Sequence, residues 1–326
     1  MRRSLGHAVR AAVAVAAAAA ALAPASLFSQ DDRRPGRRVP LDARTVSRKN
    51  AEALAILAKS RRVYSIAIGT VPPARPERIR LAAPDDSRSR ALLDRARTLL
   101  VSPEARLRNL VVEVRKEYFR GDEESSERHR VWAEVLLETE GGRRLGLNEI
   151  AESLVFDPRN ARAWEVLERE LPAEGKRLVE RPALLRADVV ADGGEFRIVL
   201  DPAAASRPAT AAWLAYARTR ALWVGEGRFA ERFGSEAPYR VTGAEMIEAF
   251  ESLVDTYEIE RTVDPAGADP ELDRLAALRG EGLLRAFVHV DVAPGPLAES
   301  RTGGAAPDAE SVREYLGRHR VHPPSR

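Results

Sequence analysis

His289 and Asp291 are the sharpest chemical pair in the chain, two residues apart in the run FVHVDV at 287–292. On a β-strand that spacing puts both side chains on one face. There an imidazole and a carboxylate are the candidate catalytic or metal-ligating residues, as a base with its orienting acid or as two ligands of one ion. The same alternation also predicts an ordinary polar surface, with Val288, Val290 and Val292 turned to a core and His289 and Asp291 to solvent.

Two acidic groupings follow. Glu226 and Glu231 flank the aromatic GEGRFAERFG, and a glycoside hydrolase needs two carboxylates roughly 5–10 Å apart in a cleft. Asp122, Glu123, Glu124 and Glu127 crowd an expected hairpin tip. They lack the ordered alternation and glycine of a calcium-binding EF-hand loop, so a solvated acidic turn is expected there.

The chain has no cysteine, which removes thiol catalysis, cysteine-bound zinc and disulfides. It contains no H-E-x-x-H, no G-x-S-x-G and no P-loop. Its glycine pairs stand where turns are needed and not between a strand and a helix start, so no cofactor is expected.

Residues 107–147 show period-two alternation on two legs, with Gly141-Gly142 able to turn a two-residue hairpin loop. A three-stranded antiparallel meander is predicted, with amphipathic helices packed on it. Ser87 to Val101 carries Leu92, Leu93, Ala96, Leu99 and Leu100 at helical spacing. A helix capped by Ser47 and a strand at Val63 to Gly69 precede it. Leu184 to Leu200 reads as a second hairpin turning at Gly193-Gly194. Ser206 with Pro208, Thr242 with Glu245, and Asp269-Pro270 mark later helix starts, and a last amphipathic helix carries Val312, Tyr315, Leu316 and His319.

In FDPRNARAWEVLEREL, Asp157 is the expected cap, Pro158 the first helical position, and Trp164, Leu167 and Leu171 an apolar stripe. The run resembles the helix-opening junction of tetratricopeptide repeats. It does not recur at that family's roughly 34-residue period, so it is read as a helix-start motif.

The N-terminus carries the strongest functional signal. Arg2, Arg3 and Arg10 precede the apolar run 11–23, and Ala23-Pro24-Ala25 forms an A-x-A site. This is the pattern of a secretory signal peptide, with cleavage expected before Ser26. Residues 26–45 are polar and broken by Pro35, Gly36 and Pro40, as in a flexible linker.

Residues 1–120 hold 25 basic against 11 acidic side chains, and the remainder 27 against 38. Arginine outnumbers lysine 48 to 4, so individual arginines are weak evidence of contacts, and no motif for specific nucleic-acid reading accompanies them. The expectation is an α+β protein with a signal peptide at 1–25, a linker at 26–45, a domain at 46–180 around the meander, and a mainly helical second domain or continuation at 181–326. Functionally, the sequence points to an exported, periplasmic or extracellular bacterial envelope protein. It is expected to be non-catalytic, to have no integral membrane segment after cleavage, and to contact an envelope protein or an anionic envelope polymer. The competing reading is a hydrolase acting on an envelope polymer through paired carboxylates.

Overall fold

Short polar side chains set six of the helix starts among the described residues. Asp86, Ser125, Asn160, Thr242, Asp269 and Asp308 each accept a backbone amide from the first turn that follows, satisfying donors that a helix start leaves without partners. The computed structural model describes residues 43–59, 64–74, 77–104, 109–120, 125–179, 184–192, 195–205, 209–235, 237–295 and 307–322. The expected signal peptide, most of the linker, Asp122 to Glu124, Gly193-Gly194, and Ser206 with Pro208 lie outside these residues. The chain is α+β, predominantly helical with a small three-stranded sheet.

Contacts divide the chain into two interleaved units. One takes the chain to Pro73 with Leu184–Leu284; the other takes Ala74–Ala183 with Arg285 onward. The sequence alone predicts contiguous segments, 46–180 and 181–326.

The first unit holds helix α1 (Ala43–Lys59), which starts ahead of the expected Ser47 cap, and strand β1 (Tyr64–Ile68). In the second unit, helices α2 (Ser87–Leu100), α3 (Val111–Tyr118), α4 (Ser126–Leu137), α5 (Arg143–Phe156) and α6 (Ala161–Glu170) follow one another. The two-residue strand β2 (Arg177–Leu178) comes next. The chain then returns to the first unit with β3 (Ala187–Asp192), β4 (Glu195–Leu200), α7 (Thr210–Gly225), α8 (Arg228–Phe233), α9 (Gly243–Val263) and α10 (Pro270–Gly280).

The expected β3–β4 hairpin is present, with Val189 opposite Ile198. β1 adds parallel to β4, so the sheet order is β1-β4-β3. Phe196, Ile198 and Leu200 are buried, on the sheet that α7 packs against. α7 also packs on α9, where the Tyr216 and Phe250 rings meet edge to face at 5.3 Å.

The central meander is not formed. Its two expected legs are the helices α3 and α4, followed by a 3₁₀ turn at Glu140–Gly142 and then α5. Two apolar periods coexist in that stretch. Val111, Val114 and Tyr118 recur at helical spacing, as do Trp132, Val135 and Leu136, and these residues share one core with Leu93 and Ala96 of α2. Strong helix-forming Glu and Arg residues fill the intervening positions, and Arg130 bridges Glu127 and Glu134 three and four residues away. Gly142 is required for a different reason from the one expected. Its φ is −92°, but a Cβ there would lie 2.2 Å from the Leu136 carbonyl oxygen, whereas one on Gly141 would meet nothing within 4 Å.

After α10, the short helix α11 (Leu284–Phe287) runs into a π-helical turn at Val288–Val292. The chain closes with α12 (Ala309–Tyr315), a second π-helical turn at Leu316–Arg320, and β5 (Val321–His322), which pairs antiparallel with β2.

Candidate functional site

His289 and Asp291 do not lie on a strand. They occupy the first π-helical turn, where the Ala293 amide reaches the Val288 carbonyl at 2.9 Å. Val288, His289, Val290 and Asp291 are all at most 2% exposed, so the expected division into a core face and a polar face is absent. A short apolar run bounded by turns suits a buried helical turn as well as a strand.

π-helical turns are rare and often mark functional positions, so the groups around this one decide its role. The Asp291 carboxylate accepts hydrogen bonds from the Tyr315 hydroxyl and the Arg320 guanidinium. Arg320 ends the second π-helical turn. Its Nε donates to the Val179 carbonyl at 2.7 Å, and its guanidinium carbon lies 4.8 Å from the Trp164 ring centroid. His319 stacks on Tyr315 at 5.3 Å. Asp291 and Arg320 form an ion pair whose side chains are 3% and 5% exposed. The pair ties the C-terminal segment to α6 and the loop beside β2.

His289 is held differently. Burial pushes its pKa down to about 4, against the smaller opposing pulls of a hydrogen bond to the Val155 backbone and of the Asp157 carboxylate. Its Nε2 is buried and has no hydrogen-bond partner among the described residues. Among the described residues no group of three or more His, Asp or Glu is placed to hold a metal ion.

The other polar groups of this unit stitch α4 to α5. His129 Nδ1 meets Glu149 at 2.7 Å, and Arg115 also pairs with Glu149. Burial raises the Glu149 pKa, but these two hydrogen bonds outweigh it and hold the carboxyl below its usual range. Ser126, Ser153 and Asn160 bond to one another. Glu127, expected in a solvated acidic tip, is buried against Arg130 and Asn160. The expected cap Asp157 instead binds Arg159 through both carboxylate oxygens, and Asn160 caps α6. Trp164, Leu167 and Leu171 are buried as the stripe predicted.

In the first unit, Glu231 lies in a shallow depression of about 370 Å³ with Trp223, Arg228, Arg232 and Glu248; Glu226 is not part of its lining. Glu248 is engaged by Arg228 and by the Trp223 indole N–H. Two arginines of α7 contrast more sharply. Arg220 is buried among Glu245, Asp188 and Tyr216. Burial lowers its pKa, but the surrounding acidic groups outweigh that and raise it. Arg218 is half-buried, and burial lowers its pKa with no opposing carboxylate among the described residues. Nothing in the sequence ARTRALW separates the two residues; only the packing around α7 does. Comparison with protein-family models, with curated proteins and with solved structures returns no match for the chain.

Proposed function

We propose that the protein is an exported component of the bacterial envelope that works by binding, and that its ligand is an anionic envelope polymer engaged by Arg218. The observation that carries this reading is the Arg218 guanidinium on α7, which is partly withdrawn from water and faces no carboxylate among the described residues. Partial desolvation of a cation without a counter-charge is unfavourable, and a carboxylate or phosphate group docked on it in bidentate geometry relieves that cost. Export is supported by the basic residues, the apolar run 11–23 and the A-x-A site near the N-terminus. Among the described residues no helix is long and apolar enough to cross a membrane.

Arg218→Gln separates binding from folding. Binding of purified protein to native envelope polymer, followed by sedimentation, is expected to weaken about tenfold or more, as for loss of a charge-assisted bidentate contact. Thermal stability should be unchanged or slightly higher, because removing a partly desolvated charge relieves a penalty. Equal binding by both proteins rejects the assignment. Edman sequencing of the protein recovered from the envelope should begin at or near Ser26, and an intact Met1 in a cytoplasmic fraction contradicts export.

A further inference from the structure

The two edges of the three-stranded sheet are unequal. The Asp201 amide bonds the Arg186 carbonyl at 2.8 Å. By alternation along an antiparallel ladder, the amides of Ala187, Val189 and Ala191 then point outward from β3. That edge is guarded: the Asp188 carboxylate caps the outward Val189 amide at 2.8 Å and is itself held by Arg220. Charges and self-capping on an edge are how proteins prevent strand addition.

β1 has neither device. Its sequence YSIAI is uncharged, Ile68 is 67% exposed, and among the described residues no strand pairs with its outer side. The Gly69 amide bonds the Leu200 carbonyl at 2.9 Å. In a parallel ladder that fixes Ser65, Ala67 and Gly69 as the residues bonding β4, and leaves the amides and carbonyls of Tyr64, Ile66 and Ile68 pointing outward. These positions are symmetric about Ile66. In an antiparallel pairing of β1 with a second β1, Ile66 faces Ile66 and Tyr64 faces Ile68, so every outward amide meets an outward carbonyl.

We propose that β1 pairs with β1 of a second copy of this chain, antiparallel about a two-fold axis at Ile66, joining the two sheets into one. The inference is independent of Arg218 and of the anionic ligand. A five-residue strand alone falls short of the roughly 1,000 Å² of a stable interface, so the dimer is a weak one, formed at micromolar concentrations and above.

In this register Ser65 and Ala67 of opposite copies are neighbours, on the face of β1 where the paired β4 residue is the exposed Arg197. Ser65→Glu combined with Ala67→Glu puts like charges opposite one another twice, and Ser65→Glu with Ala67→Lys puts opposite charges there. Sedimentation equilibrium of the purified protein up to several hundred micromolar is expected to show a monomer–dimer equilibrium. The dissociation constant should rise about tenfold or more in the Glu/Glu variant and recover in the Glu/Lys variant, with circular dichroism unchanged in both. A wild-type protein that stays monomeric over that range overturns the proposal. So does a Glu/Glu variant that dimerises as well as wild type, and so does pairing of this edge with a different protein only.

Discussion

Arg320→Ala is expected to destabilise the protein by about 3–5 kcal/mol, the range found when one partner of a buried ion pair is removed. The substitution takes the guanidinium away from an Asp291 carboxylate that stays inside the core beside the Tyr315 hydroxyl. It also takes the Nε donor from the Val179 carbonyl and the guanidinium from the Trp164 ring. Because β5 begins at the next residue and pairs with β2, the loss should loosen the whole C-terminal segment. Replacing both members, Asp291→Leu with Arg320→Met, should cost less than the two single changes added together, since it leaves no unpaired buried charge. Urea denaturation measures the wild type, Arg320→Ala, the two single changes and the double variant. A shift below about 0.5 kcal/mol for Arg320→Ala, the size typical of surface substitutions, means that the pair is not the fastener described.

The second large effect is pH dependence from His289. Its folded pKa is depressed to about 4 from a reference of 6.5, so between those values the unfolded chain binds the proton and the folded protein does not. Stability therefore rises with pH across that window. The contribution is fully present above about pH 6.5 and is lost as pH falls toward 4, a span of roughly 3 kcal/mol at about 1.4 kcal/mol per pH unit. Urea midpoints at pH 7 and pH 4.5 should differ much less in His289→Gln than in wild type. Equal pH dependence in the two proteins shows that His289 is accessible and titrates normally.

The elements read correctly from sequence were those set by local chemistry. The caps at Thr242 and Asp269 and the β3–β4 hairpin depend on a few adjacent residues, whatever packs on them later. Runs whose apolar residues fit two periods were misread. VVEVRKEY and FVHVDV both alternate, yet each is helical, because burial on more than one side rewards apolar residues irrespective of period. The polar pair in the second run looked exposed since its ion-pair partner, Arg320, is 29 residues away and gives no sequence signal. Arg218 and Arg220 are the same residue type two positions apart on one helix. Their difference arises from Glu245 and Asp188, which the fold brings to one and not the other.

In the proposed function the protein binds its ligand without turning it over, and His289 and Asp291 serve the fold. This is tested most directly by incubating purified protein with native envelope polymer and measuring, in the same samples, protein sedimented with the polymer and soluble fragments released over time. Saturable binding with no fragment release, and equal binding by folded His289→Gln, is the predicted result. Time-dependent release of fragments that disappears in His289→Gln or in Glu231→Gln contradicts it.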